Sequence, residues 1–340
     1  LMAFFRVGDN NTKNQPIGYQ GNMIWQGGSN LYRQQIGALG YQHLWNPKFT
    51  GWKRASYWNI ESHIDHVDER YQEATNKEFF TPDNYSTLTN SETNVYNHSL
   101  SVPLNFKGYF NITPTLNAYI PVEAKYTKGR KTIHLGEEQD LGDDFVTPVN
   151  KGHAESVTNS EEKHIFIAPQ LYKYVGKNEY MFGVTIDYTG GTKDYGKTAD
   201  YDYVQTGTHA TDNQSYHNNY HNFESRFGAL ASIWLSEKFN LETRYRFKFA
   251  DNYSMFDRQR NGQYDFANSS EQSDRIFSNQ LTLTGTLNIA NLMLKPSVEF
   301  ALQNEHTDYL RAALDTTATR TNMLPTPKLE MTWRPNKQNT

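Results

Sequence analysis

The sequence predicts an all-β protein, an antiparallel up-and-down transmembrane β-barrel with about twelve strands visible, long outer loops and short periplasmic turns. Three observations predict it. Segments of the chain alternate apolar and polar side chains with period two, the signature of a strand with one wet and one apolar side. The connections between these segments alternate between short and long. Aromatic residues make up 14% of the chain, although its mean hydropathy is only -0.80. A closed sheet in lipid satisfies its backbone internally, so only outward side chains need be apolar and half of each strand is free to be polar.

Strands are predicted near 1–8, 32–45, 52–69, 92–107, 115–127, 163–175, 180–190, 222–235, 238–251, 275–289, 292–306 and 322–334. In the fourth, Leu100, Val102, Leu104 and Phe106 oppose Ser99, Ser101 and Asn105. In the fifth, Leu116, Ala118, Ile120, Val122, Ala124 and Tyr126 oppose Asn117, Tyr119, Glu123 and Lys125. The clearest is the ninth, where Phe239, Leu241, Thr243, Tyr245, Phe247 and Phe249 share one face and Asn240, Glu242, Arg244, Arg246 and Lys248 the other. In the eleventh, Leu292, Leu294, Val298, Phe300 and Leu302 oppose Lys295, Ser297, Glu299, Gln303 and Glu305. Pro103, Pro121, Pro169 and Pro296 fall inside strands and lack the amide a ladder uses, so β-bulges are expected at them.

Tight links are read at Asn46–Gly51, Gly108–Pro114, Gly176–Glu179, Ser236–Lys238, Ala290–Asn291 and Pro335–Asn339. Long polar stretches at 9–31, 70–91, 128–162, 191–221, 252–274 and 307–321 show little apolar periodicity and read as loops. That segregation is the asymmetry of an outer-membrane barrel. Trp45, Trp52, Trp58, Tyr109, Phe110, Tyr174, Tyr180, Trp234 and Trp333 lie beside the short turns, where a headgroup girdle is expected, and Tyr126, Tyr188 and Phe249 supply the opposite one.

Composition excludes several functions. With 340 residues and no cysteine, there is no disulfide scaffold, thiolate metal site or cysteine nucleophile. The balance of 33 basic and 37 acidic residues gives no general attraction to nucleic acid. No run of apolar residues is long enough for a membrane-spanning helix. The chain opens at Leu1 without an initiator Met or secretion signal and reads as part of something longer.

The stretch Asn322-Met323-Leu324-Pro325-Thr326-Pro327-Lys328-Leu329-Glu330-Met331-Thr332-Trp333-Arg334-Pro335-Asn336-Lys337 combines a Leu-Pro start, an alternating strand and a short Asn/Lys turn. With the hairpin and loop rhythm of the whole chain, it resembles the barrel of TonB-dependent receptors of the large outer-membrane-protein type. The resemblance implies a plugged 22-stranded barrel in the cell outer membrane, importing a scarce nutrient ligand with energy delivered through TonB. Residues 1–340 then form a barrel segment, part of a larger barrel, with the plug domain and the TonB-contacting segment outside this chain. Outer-membrane lipid, TonB through those other regions, the nutrient ligand and a surface lipoprotein are the implied partners. A passive porin-like barrel and a soluble secreted β-rich carbohydrate-binding module are the alternatives.

Other motifs weigh little. Gly191-Thr192-Lys193-Asp194-Tyr195-Gly196-Lys197-Thr198 fits a phosphate-cradling string, but 199–220 lacks the apolar stripe of the helix such a cradle needs, so it reads as a loop tip. His209, His217 and His221, with Asp202 and Asp212, have no recognised metal-ligand spacing and read as solvated loop residues. His63 and His66 face opposite sides of one strand. Glu137, Glu138, Asp140, Asp143 and Asp144 lack calcium-loop spacing. Asn84-Tyr85-Ser86 and Asn252-Tyr253-Ser254 are sequons of the kind Asn-rich segments generate freely. No nucleophile elbow or metalloprotease motif marks an enzyme, and no catalytic, cofactor or metal residue is assigned. Tyr201, Tyr203, Tyr216, Tyr220, Tyr253, Phe256 and Tyr264 offer flat faces for ligand stacking or for packing among themselves.

Overall fold

The computed structural model describes residues 2–12, 18–20, 23–45, 56–80, 86–141, 147–204 and 206–333, with side chains over 40–41, 56–74, 90–138, 150–204 and 206–333. The predicted turns at Asn46–Gly51 and Pro335–Asn339, and Trp52, Asp143 and Asp144, lie outside the described residues. In chain order the strands are β1 (Met2–Thr12), β2 (Gly18–Gln20), β3 (Met23–Trp45), β4 (Ser56–Phe80), β5 (Ser86–Thr113), β6 (Leu116–Leu141), β7 (Thr147–Ile167) and β8 (Gln170–Val175). They continue with β9 (Asn178–Tyr203), β10 (Thr208–Trp234), β11 (Phe239–Arg260), β12 (Gln263–Tyr264), β13 (Ser270–Ile289), β14 (Leu292–Arg311) and β15 (Leu314–Trp333).

These strands form one antiparallel up-and-down sheet, so the predicted all-β class and neighbour-to-neighbour topology hold. The order is β1-β3-β4-β5-β6-β7-β9-β10-β11-β13-β14-β15, with β2, β8 and β12 as short additions to β3, β6 with β9, and β11. The twelve strands of that path correspond to the twelve read from sequence, β7 and β8 together making the sixth. Among the described residues β1 and β15 do not pair with each other.

The two ends of the sheet differ as expected. At one end the links are tight: Pro114–Thr115, Gly176–Lys177, 235–238 and Ala290–Asn291. At the other, the excursions are long, but they are strand rather than loop. Segments 191–203, 208–221 and 252–260 continue β9, β10 and β11, and most of 70–91, 128–162 and 307–321 is likewise paired. The physical reason is that a ladder with both faces wet leaves no apolar period to read. The tip at Asn261–Gly262 closes on two residues with φ of 51° and 75°, the left-handed pair of a hairpin turn that Asn-Gly favours.

The prolines are accommodated without the expected bulges. Pairing of β4 with β5 skips Pro103, and that of β13 with β14 skips Pro296, while the register on either side is unchanged. Pro121 stays in register, and Ala168–Pro169 separates β7 from β8. A missing amide costs one ladder bond, and a gap absorbs that without an inserted residue. The register shifts lie elsewhere, at Gly27/Asn30, Asn111/Thr113 and Gln139/Asp140.

Residues paired across an antiparallel ladder share a face. Following the register from β4 to β15 therefore collects Ile60, Leu104, Val122, Ile165, Ile186, Phe227, Leu241, Leu281, Phe300 and Met323 on a single face. Many side chains of this face remain open to the surroundings: Ile165 is 43% exposed, Phe182 46%, Phe277 44% and Phe300 43%. The six alternating positions from Phe239 to Phe249 cover about 33 Å at about 3.3 Å per residue, and a strand tilt of about 40° reduces this to about 25 Å. That is the height of the apolar band of an outer-membrane barrel.

Register also divides the predicted girdle. Trp58, Phe110, Tyr180 and Trp333 stand on the apolar face, as do Tyr126, Tyr188 and Phe249 at its other margin, whereas Tyr109, Tyr174 and Trp234 stand on the opposite one. Proximity to a turn is visible in sequence, but the face at a hairpin end depends on pairing.

Candidate functional site: the polar face of the sheet

The face opposite the apolar belt is rich in ionised, amide and hydroxyl side chains. On β11 these are Asn240, Glu242, Arg244, Arg246 and Lys248, and the register places Arg226 and Glu224 of β10, Thr185 and Asp187 of β9, and Ser278 and Gln280 of β13 beside them. They are held by pairs within and between strands. Glu224 accepts from Lys248 Nζ at 2.7 Å and also from Arg226, Arg244 donates to Glu242 at 3.0 Å, and His164 pairs with Asp187 at 3.2 Å. Tyr245, of the belt face, reaches Asn279 Oδ1 at 2.8 Å and so carries its hydroxyl satisfied.

Within this face lies a recess of about 530 Å³, lined among others by Arg226, Arg246, Lys248, Gln170, Ser278 and Gln280. Two facing glycines make its floor, Gly228 of β10 paired with Gly183 of β9. A second recess of about 640 Å³, bordered by His153, Glu155 and Asp200, lies farther along the sheet and mainly on the other face.

Beyond the belt the polar face continues with aromatics. Tyr195 stacks on Tyr216 with centroids 4.8 Å apart, and Tyr216 packs on Phe256 at 5.1 Å. Tyr220 donates to Glu162 Oε2 at 2.7 Å; burial, this bond and the carboxylate's charge push its hydroxyl up to about 12. Asp212 accepts from Arg260 at 2.8 Å and from Gln214 at 2.6 Å, and these bonds hold its carboxyl below the usual range. Of the aromatics named from sequence, Tyr201, Tyr203, Tyr216, Tyr220 and Phe256 share this face, while Tyr253 and Tyr264 stand on the other. Packing unites Tyr216 with Phe256 and leaves Tyr253 stacked on His221 instead.

The remaining motifs take structural roles. Gly191–Thr198 is not a loop tip but the middle of β9, paired with β7 and β10. No helix follows it. The three histidines read as loop residues are strand residues of β10, each with a carboxylate neighbour: His209 with Asp202 at 2.7 Å, His217 with Asp194 at 2.6 Å, and His221 with Asp251 at 3.6 Å. Among the described residues no three His, Asp or Glu side chains gather to hold a metal ion. His63 and His66 lie on β4 at positions of opposite parity, as read. Glu138 pairs with Lys151 at 2.6 Å rather than with neighbouring acids as a calcium loop. His306 stands between Thr319 Oγ1 at 3.0 Å and Asp308 at 3.3 Å, a hydroxyl–imidazole–carboxylate series on the open surface that borders neither recess.

The recess itself was missed at the sequence level. The alternation of β11 alone puts Arg246 and Lys248 on the polar face, but Gly183, Gly228, Gln170 and Arg226 join them only through pairing between strands.

No protein-family model matches the chain, and no curated protein matches it. Among solved structures it is similar to the outer membrane protease OmpT from Escherichia coli, at 12% identity and a TM-score of 0.25, over 81% of this chain and 96% of that one. An overlap that loose assigns neither architecture nor activity to this chain.

Proposed function

We propose that the chain forms the wall of a cell outer-membrane β-barrel, with its apolar belt against lipid and its polar face lining a passage for hydrophilic solutes. The belt carries this reading. Exposed Ile, Leu and Phe side chains continue from strand to strand on one face at a height of about 25 Å, while the other face holds ion pairs. A soluble carbohydrate-binding module would leave that apolar surface in water, far beyond the patch a soluble monomer carries. Within the barrel class, the resemblance of Asn322–Lys337 to TonB-dependent receptors favours energised import of a scarce nutrient. In that case residues 1–340 are the barrel segment, a plug domain and TonB contact belong to other regions, and a surface lipoprotein is a fitting partner for the long outer extension. A passive porin-like wall shares the belt and the polar face.

The refolded chain is expected to float with phosphatidylcholine vesicles in a density gradient; a chain that stays in the aqueous fraction contradicts the membrane reading. The TonB-type reading further expects a compact plug-like domain encoded in the full reading frame. A frame that adds only barrel strands points to the passive wall.

A further inference from the structure

We propose that the recess over Gly183 and Gly228 is an oxyanion-binding site for a small solute bearing phosphate or clustered carboxylates. The proposal rests on the polar face being the solute-facing one and names the class of solute that face selects.

Charge is the first argument. Arg226 and Lys248 share one carboxylate, Glu224, and Arg246 has no acceptor among the described residues, so the three cations and one anion leave a formal excess of two positive charges at the recess. Arg244 does not contribute to this excess, since it is paired with Glu242. A guanidinium offers a planar fork of donors that matches two oxygens of one phosphate or carboxylate.

The neutral groups complement the cations. Gln170 accepts from the Tyr172 hydroxyl through its carboxamide oxygen, which leaves its amino group to donate. Gln280 and Ser278 add side-chain donors on the far side of Arg246, Gln280 being its direct cross-strand partner.

Shape is the third argument. Arg246 is flanked across the ladder by Gly228, and Gly228 by Gly183, so two adjacent cross-strand positions carry no side chain beside the unpaired cation. Packing does not demand these glycines. A Cβ at Gly228 would meet only the Tyr245 carbonyl oxygen at 3.9 Å, one at Gly183 the Gln170 Cγ at 3.4 Å, and neither has a positive φ. The room is therefore open to an occupant. A volume of about 530 Å³ suits a small molecule, with the anion seated on the glycine floor under Arg246.

The test is calorimetric titration of the detergent-refolded chain with inorganic pyrophosphate at low salt. Arg246→Gln is expected to weaken binding about tenfold, the loss of one charge-assisted hydrogen bond. Gly228→Leu, whose Cβ meets no atom closer than 3.9 Å and whose side chain fills the floor, is expected to abolish binding. Arg275→Gln, on the other face beside Asp251, is expected to leave it unchanged. Absence of binding, equal affinity in wild type and Arg246→Gln, or equal weakening by Arg275→Gln overturns the proposal. Vesicle flotation separates the two readings: a chain that floats but ignores pyrophosphate retains the wall and loses the anion site. A chain that binds with the expected variant pattern but does not float retains the site and loses the wall.

Discussion

Gly191 and Gly196 belong to the same phosphate-like string and separate its two meanings. A Cβ at Gly191 would clash with the Glu161 carbonyl oxygen and stand 3.2 Å from Glu162 Cα, both backbone atoms of the adjoining strand, whereas one at Gly196 meets nothing within 4 Å. Gly191→Ala is therefore expected to lower stability by about 1–3 kcal/mol through overpacking, and Gly196→Ala to leave it within about 0.5 kcal/mol, as read from denaturant midpoints. A nucleotide cradle would instead need both glycines for ligand and neither for folding. Tyr220 makes a second prediction, outside the belt. Its raised value means the neutral, hydrogen-bonded phenol is favoured in the folded chain, so the Glu162 bond contributes fully below pH 10 and is lost as pH rises toward about 12. Wild type is expected to be more stable than Tyr220→Phe at neutral pH, and that advantage is expected to vanish across this alkaline window. An advantage that persists or grows above it would contradict the assignment.

At the scale of the strand, legibility followed the apolar period. The alternation at Phe239–Phe249 and Leu292–Leu302 appears in the structure on the faces read from it, because burial of one side against lipid or protein leaves a two-residue rhythm. The outer halves of β9, β10 and β11 were illegible for the converse reason: with Asn, Asp, Tyr and Lys on both sides, the chain lacks a rhythm although its backbone is fully paired. Recess residues were legible one strand at a time and became a site only through the constant register of β9, β10 and β11. Depth within the belt also follows from register. Leu281 pairs with Tyr245, midway along the six positions of β11, so Leu281→Arg is expected to cost about 2–4 kcal/mol in vesicles. Leu241→Arg, near the short-turn margin, is expected to cost about 1 kcal/mol or less. Thr282→Leu, on the polar face, is expected to be tolerated. Equal costs for Leu281→Arg and Leu241→Arg in unfolding titrations would place the midplane elsewhere.

At the scale of the molecule, the belt reaches the edge of the sheet. Met323, Leu329, Met331 and Trp333 of β15 continue it and are 73%, 69%, 68% and 68% exposed. In lipid, an edge strand with unpaired amides and carbonyls costs several kcal/mol per group, so in the proposed membrane wall β15 requires a strand partner. Closure on β1 and a larger barrel each meet that requirement. Low mean hydropathy also finds its cause at this scale, since the long strands from β3 onward run 20 to 28 residues where about 9–11 would cross a bilayer, and in the proposed wall the remainder stands in water. The central claim is that one face of this sheet meets lipid and the other water. Because the chain has no cysteine, single cysteines at 276–284 on β13 can each carry a nitroxide label in vesicle-bound protein. Collisions with lipid-soluble oxygen are expected to peak at the odd positions and collisions with a water-soluble nickel chelate at the even ones. Absence of alternation, or the reverse phase, would contradict the account.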